Sequence, residues 1–283
     1  MPLEDDFSDI IKKARMGQGL SVSQTARAAG IAEADLAALE RGRRPNRDET
    51  VALARALGLH ADALVMVAVD GWEPAAPPLM RTVETVLGDI GGYEVKGYVV
   101  ADQQAGEAVI VDTGYSPLRM LKLLESRGLK LTAICLTHGH SDHAGGLDRL
   151  LERWSVPVYL GAEDASMLGW RPPRESFRPV QDGERHQLHV GEVRIELVRT
   201  PGHTPGGLCF RATGPTTNAC FVGDTLFAGS IGRSNPFSLY PAQLDSVRRS
   251  LMTLPADTVL FPGHGPATTV REERAHNPFA ATT

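Results

Sequence analysis

Positive charge is in short supply: 29 Lys and Arg stand against 34 Asp and Glu, giving a net charge of −5. That balance offers no general attraction to nucleic acid or to acidic membranes. Cysteine is scarcer still. Cys135, Cys209 and Cys220 are the only three, they lie apart, and none forms a C-x-x-C pair. An odd, scattered set argues against a disulfide framework and fits reduced thiols in a core. No apolar run reaches membrane-spanning length, and Met1–Ile10 lacks a basic-then-apolar leader, so the expected location is the cytoplasm. There is no internal repeat and no low-complexity tract. What remains, 42% hydrophobic and 22% charged over 283 residues, is an ordinary globular composition with room for one or two domains.

The chemistry concentrates in Thr137-His138-Gly139-His140-Ser141-Asp142-His143, an H-x-H-x-D-H cluster. Before it, Leu131–Leu136 is an apolar, β-branched run that reads as a buried strand. After it, Ala144-Gly145-Gly146 leads into Leu147, Leu150, Leu151 and Trp154 at helical spacing. The cluster therefore sits on a strand-to-helix turn. In extended backbone His138 and His140 point the same way, because side chains repeat every two residues. The turn then carries Asp142 and His143 to the other side of a cavity, so one motif can serve two neighbouring metal ions.

Three further candidates lie downstream, each on a loop marked by glycine or proline after an apolar strand. Val193–Val198 runs into Thr200-Pro201-Gly202-His203; Ala219–Val222 runs into Gly223-Asp224; Thr258–Phe261 runs into Pro262-Gly263-His264. The seven residues His138, His140, Asp142, His143, His203, Asp224 and His264 are thus all expected at strand ends. Five imidazoles and two carboxylates make a borderline-to-hard ligand set: imidazole suits Zn²⁺ or iron, and the carboxylates also admit Mn²⁺. Ligand type alone does not settle the metal; Zn²⁺ is the expected ion, with iron or Mn²⁺ as alternatives. His60, His186, His189 and His276 fall outside the motifs and read as surface or packing histidines.

The first seventy residues have another character. Asp5–Arg15 forms an amphipathic pattern with Phe7, Ile10, Ile11 and Ala14 on one face. Ser21 is placed to cap a second helix ending at Gly30, and Glu33–Gly42 follows as a third. Asp48–Leu57 and Ala61–Val67 complete five helices. Trp72–Pro78 is a proline-rich connector, so the domains are drawn as 1–70, a linker at 71–78, and 79–283. Beyond it, Val83–Leu87, Tyr93–Val100, Ala108–Val111 and Val156–Leu160 read as strands, and Leu118–Arg127 as a helix. The long polar stretch from Gly161 to Arg185 reads either as one wall of a cleft or as a solvated loop packing Trp170.

The second region resembles the metallo-β-lactamase-fold hydrolases over roughly Leu79 to Phe279, through THGHSDHAGG, TPGHTPGG, GDTLFAGSIGR, PGHGPATTV and EERAHNPF. Within that family it is similar to the short bacterial type II glyoxalases, the hydroxyacylglutathione hydrolases. The resemblance implies an α/β fold, a four-layer αββα sandwich, preceded here by a small all-α domain. It implies two divalent ions: one on His138, His140 and His203, the other on Asp142, His143 and His264, with Asp224 bridging. It also implies that Asp112 orients a ligand histidine, a role preferred here over the alternative of an Asx turn after a strand. The resemblance further implies that true β-lactamases lack a bridging carboxylate at the Asp224 position, so antibiotic hydrolysis is not the expected task. The longer glyoxalases add a helical extension beyond the last ligand that is not matched by the roughly twenty residues after His264. Residues 1–70, with LSVSQTARAAGIAEADLAALERGRRPN, resemble the Cro/C1-type (XRE) helix-turn-helix family.

The resulting expectation is a dinuclear metal-dependent hydrolase using a metal-bridging hydroxide on a small-molecule thioester such as S-lactoylglutathione, with Asp142 and Asp224 as catalytic residues. The rival chemistry is a mononuclear iron persulfide dioxygenase. A third reading is a helix-turn-helix regulator with a metabolite-sensing sandwich. Arg233, Phe237 and Tyr240, on or just after the loop that follows Asp224, are candidates for lining the substrate cleft, and Arg233 alternatively for an ion pair anchoring that loop. DNA is a disfavoured partner: residues 1–70 carry nine basic against eleven acidic side chains, and the recognition helix opens on Glu33 and Asp35. The module is expected instead to form a homodimer or to pack on the catalytic domain.

Overall fold

The computed structural model describes residues 2–280. Five helices come first: α1 (Phe7–Gly17), α2 (Val22–Ala29), α3 (Glu33–Leu39), α4 (Arg47–Leu57) and α5 (Ala61–Ala68). Their ends are written locally. Asp6, Ser21 and Asn46 each form a capping box, the side chain accepting from the third residue's N–H while that residue reaches back. Gly30 and Gly58 close α2 and α4 in the left-handed conformation that only glycine adopts freely.

The remainder is two six-stranded sheets. In the first, β1 (Val83–Ile90), β2 (Tyr93–Asp102) and β3 (Glu107–Thr113) form an antiparallel meander. Then β4 (Lys130–Cys135), β5 (Val158–Gly161) and β6 (Phe177–Val180) add in parallel. The parallel steps need crossovers. The first two are α6 (Pro117–Ser126), then the single turn α7 (Ser141–Ala144) with α8 (Leu147–Arg153); the third, from β5 to β6, runs through a 3₁₀ turn over Ala162–Met167. The second sheet runs antiparallel through β7 (Gln187–Val190), β8 (Val193–Arg199), β9 (Leu208–Gly214) and β10 (Thr217–Gly223). It continues with β11 (Val259–Pro262), parallel to β10, and β12 (Thr268–Thr269). Helix α9 (Tyr240–Asp245), prolonged by a π-turn through Leu251, and α10 (Val270–His276) belong to this half. The fold is mixed α/β, two six-stranded sheets flanked by helices and preceded by five helices.

Alternation in the facing strands builds the layer between the sheets from Tyr98, Val100, Val109, Val111, Ile195, Phe210 and Phe221. On the outer face of the first sheet, Ile110, Ile134 and Leu160 meet Met120 and Leu124 of α6 and Leu147 and Leu150 of α8. The third apolar cluster crosses the proposed domain boundary. Phe7, Ile10, Ile11, Leu53 and Leu64 of the N-terminal helices share one core with Cys209, Cys220, Leu226, Ile231, Tyr240 and Phe279. The linker is irregular as expected, yet Trp72 is docked: its Nε1 donates to Glu272 and its ring lies 4.9 Å from the His276 ring. Residues 71–78 therefore separate two segments of chain but not two cores.

The polar stretch from Gly161 to Arg185 is not one loop. It holds a 3₁₀ turn over Ala162–Met167 and the edge strand β6, while Trp170 is 43% exposed.

Candidate metal centre

The seven ligand candidates converge at one edge of the two sheets. His138 follows β4 and is buried at 2% exposure; His143 lies on α7 and is fully enclosed. His203 follows β8, Asp224 follows β10 and His264 follows β11. Atoms of His138, His140 and His203 lie within 4.8 Å of one another, as do those of His143, Asp224 and His264, and those of His138, Asp142 and His143. Asp224 sits between the groups. Its Oδ1 is 3.3 Å from His143 Nε2, and its Oδ2 is 3.5 Å from His203 Nε2 and 3.8 Å from His264 Nε2. Asp142 Oδ2 is 3.3 Å from His264 Nε2 and 3.7 Å from His143 Nε2.

His203 Nε2 and His140 Nδ1 pair at 3.0 Å, but three other ligand atoms find no partner among the described residues. His138 Nε2, His143 Nε2 and Asp224 Oδ1 are buried with no hydrogen-bond partner, an arrangement that is costly unless something else satisfies them. The 3.3 Å approach of His143 to Asp224 is close enough for attraction but misaligned for a hydrogen bond. Meanwhile the opposite ring nitrogens are occupied. His143 Nδ1 faces Asp112 Oδ2 at 2.8 Å, His203 Nδ1 donates to the Arg233 carbonyl at 2.8 Å, and His264 Nδ1 donates to the Glu94 carbonyl at 2.7 Å. Each such bond fixes the tautomer that leaves Nε2 free to bind a metal.

Electrostatics point the same way. Burial pushes His138 well below its ordinary pKa, reinforced by His143 and His203, and pushes His203 down to about 4, so both are neutral ligands in waiting. Burial opposes charge on His143, but Asp224 and Asp112 outweigh it and raise its pKa well above the usual value. Burial likewise opposes charge on Asp224, yet His143, His203 and His264 hold it well below the carboxylate range. Without metal, a proton on His143 thus supplies part of the positive charge this carboxylate needs.

Asp112 accepts from the Thr137 N–H and hydroxyl, both at 2.7 Å, as well as facing His143. Its φ of +54° places it in the left-handed region. Two close approaches require glycine. A Cβ on Gly263 would lie 2.3 Å from His143 Cε1 and 2.5 Å from Asp224 Oδ1, and one on Gly232 would lie 2.0 Å from the Asp224 carbonyl.

Sequence reasoning overlooked two buried acids. Asp164, just past β5, accepts from the Gly139 and Gly206 N–H groups and from the Thr204 hydroxyl, tying the H-x-H turn to the His203 loop. Glu273, on α10, accepts from the Gly229 N–H, Thr268 Oγ1 and Asn277 Nδ2. Burial raises its pKa to about 7 despite these donors. The only local hint was an acidic residue just beyond a strand for Asp164, and membership of EERAHNPF for Glu273.

The three cleft candidates fare differently. Arg233 is exposed, contributes its carbonyl to His203, and makes no ion pair among the described residues; the anchoring ion pair considered for it is absent. Phe237 is half-buried in a 3₁₀ turn. Tyr240 has to be corrected. It is 5% exposed, packs in the core with Phe279 at a ring separation of 6.5 Å, and presses against Gly17 of α1. Tyr240 faces the N-terminal helices, whereas Gln243 on the same helix reaches the loop after Asp224, donating to the Gly232 carbonyl at 2.8 Å.

A two-sheet sandwich with one all-histidine trio and two histidine–aspartate trios at its edge is the geometry of a metal-binding site. Residues 90–264 match the model of the metallo-beta-lactamase superfamily, and residues 6–65 match a helix-turn-helix domain. The chain belongs to the metallo-beta-lactamase superfamily and carries an N-terminal helix-turn-helix domain. It is 34% identical over 206 residues to the probable metallo-hydrolase YqgX of Bacillus subtilis, covering 67% of this chain and 94% of that one. It is 32% identical over 185 residues to the hydroxyacylglutathione hydrolase GloC of Haemophilus influenzae, covering 61% and 86%. Among solved structures, TTHA1623 in a di-iron-bound form aligns with a TM-score of 0.57 and 31% identity, over 69% of this chain and 99% of that one. Among the described residues no helix is long and apolar enough to cross a membrane.

Proposed function

We propose that the chain is a dinuclear metal-dependent hydrolase of a small-molecule thioester, with S-lactoylglutathione as the first substrate to try. The observation that carries the two-metal reading is Asp224, whose Oδ1 lies 3.3 Å from His143 while its Oδ2 lies 3.5 Å from His203 and 3.8 Å from His264, so one carboxylate reaches histidines of both proposed sites. His138, His140 and His203 would hold one ion; Asp142, His143 and His264 the other; Asp224 would touch both. Such ions, when bound, lower the pKa of a shared water toward about 7 and draw charge from an attacked carbonyl. The imidazoles suit Zn²⁺ or iron, and the carboxylates also admit Mn²⁺.

The protein's own part is positioning. Asp112 and the Arg233 and Glu94 carbonyls hold three imidazoles in one tautomer. Asp142 is the less buried carboxylate. Burial raises its pKa, but the hydrogen bond to His264 and the charge on His143 outweigh that and keep it ionised. It is placed to accept a proton as well as to bind metal. Similarity to the hydroxyacylglutathione hydrolase supports the thioester class. The mononuclear iron dioxygenase would need only one trio, and the complete His143–Asp224–His264 trio favours the hydrolase. The same complete set speaks for an enzyme over a purely sensory domain. For the helix-turn-helix domain, Glu33 and Asp35 lie exposed at the start of α3, which keeps DNA a disfavoured partner.

Elemental analysis and an assay panel test this. Two ions per chain, with thioester hydrolysis and no oxygen uptake, are expected. One iron per chain with oxygen consumption would replace the hydrolase by the dioxygenase, and activity on phosphodiesters or lactones alone would displace the thioester.

A further inference from the structure

The loop after Asp224, residues 225–233, governs three of the seven ligands. It carries Asp224 at its root, and the Arg233 carbonyl at its end fixes His203. Phe227, midway, sets its ring edge-on to His264 at 5.9 Å. From the catalytic side the loop is held by Glu273, which accepts from the Gly229 N–H, and by Asn277, which donates to the Ser230 carbonyl at 2.8 Å. Gln243 of α9 donates to the Gly232 carbonyl at 2.8 Å, and further contacts come from the N-terminal helical region and the linker residue Trp72. Asp5 Oδ2 accepts from the Ser230 hydroxyl at 2.5 Å and pairs with Lys13. Lys13 Nζ donates to the Ile231 carbonyl at 2.9 Å and stands 5.0 Å from the Phe227 ring centroid. Val67 and Trp72 close over Gly229, where an added Cβ would lie 3.2 and 3.0 Å from them.

Apolar contact alone would dock α1: Phe7, Ile10, Ile11 and Ala14 are buried in the shared core. The Asp5–Lys13 pair is a different kind of contact. Its side chains are only 8% and 14% exposed, so both charges have largely left water, a cost that a hydrophobic pair would not incur. What such a pair adds is register, because its oxygens and ammonium accept one geometry of the loop hydroxyl and carbonyl and not its neighbours. Resting on the dinuclear reading above, we infer that Asp5 and Lys13 are positioning residues for the metal centre, acting through Ser230, Ile231 and Phe227 on Asp224, His203 and His264. The helix-turn-helix region is then a working part of the hydrolase site. Its docking and metal binding form one linked equilibrium, each strengthening the other by the same factor.

The test uses the full chain with Zn²⁺ or Co²⁺ as the probe. Lys13→Met, Asp5→Asn and Ser230→Ala are compared with Lys13→Arg, which keeps the charge, and with Lys12→Met on the solvent side of α1. Metal affinity is read by chelator competition, and ligand geometry by the visible spectrum of the Co²⁺ form. Lys13→Met and Asp5→Asn are expected to weaken the more loosely held ion roughly ten-fold and to alter the spectrum. Lys13→Arg should recover most of the loss, and Lys12→Met should match wild type. A folded Lys13→Met or Asp5→Asn protein that binds both ions with wild-type affinity and spectrum overturns the inference. Should neither fold, Ser230→Ala, which removes one hydroxyl, decides in the same sense. A wild-type chain that binds a single ion overturns the dinuclear reading instead, and the variants' effect on that ion is still measurable.

Discussion

Replacing Asp112 by Asn asks whether one buried carboxylate sets the metal-binding form of His143. The carboxylate accepts three short hydrogen bonds, from the Thr137 N–H, the Thr137 hydroxyl and His143. Asn keeps the shape and tolerates the φ of +54°, so no backbone strain is added. It retains one acceptor and introduces an N–H₂. If the amide oxygen stays on the Thr137 N–H, the hydroxyl can turn to accept, but His143 Nδ1 must become an acceptor and carry its proton on Nε2. That is the atom facing Asp224. If the amide turns over, a buried N–H loses its partner, at about 1–3 kcal/mol. Either route costs the bound state, and loss of such a ligand-orienting partner lowers metal affinity by roughly 10–100-fold. Chelator competition measures this directly, and melting in the presence of chelator measures the metal-free fold. Asp112→Ala should be worse: it strands three buried donors and places alanine at positive φ, for about 3–5 kcal/mol in metal-free stability. Wild-type affinity for both ions in Asp112→Asn would show that the Nδ1 contact does not choose the tautomer, and the reasoning would fail.

Asp142→Ala should retain one ion per chain at saturation while Asp224→Ala disturbs both; equal metal content in wild type and Asp224→Ala, by elemental analysis, would refute the bridge. Gly263→Ala drives a methyl between His143 and Asp224 and should abolish binding at that trio with little change in circular dichroism; intact stoichiometry would mean the loop can retreat. Glu273→Ala should lower stability by about 3 kcal/mol, since Gly229, Thr268 and Asn277 lose a buried acceptor, read as a drop in melting temperature. The pH dependence follows from His143. Its pKa is raised in the metal-free fold, so its contribution is full below the unfolded value near 6.5 and is lost as pH rises through the folded value. Metal must displace that proton, so affinity should rise over the same interval. Calorimetry with and without chelator should therefore show the two melting temperatures diverging as pH increases; parallel curves would contradict the assignment.

Much of this protein is determined by its local sequence. Capping boxes at Ser21 and Asn46, glycines at 30 and 58, and alternation along the strands encode backbone conformation over a few residues, and that information needs no partner. The seven ligand candidates were legible for the same reason: each lies in a short turn after an apolar strand. Asp164 and Glu273 were not, because their partners lie up to 42 and 44 residues away, and a lone acid carries no sign of what it will cap. Tyr240 was misplaced because nearness in sequence to the metal loop does not say which way a helix turns its buried face. The face of Phe7, Ile10, Ile11 and Ala14 reads alike whether it fills a five-helix core or also meets a second body. Only the tertiary structure decided that it also docks on the loop after Asp224, since apolar burial is non-directional and the choice of partner rests on shape and on the Asp5–Lys13 pair.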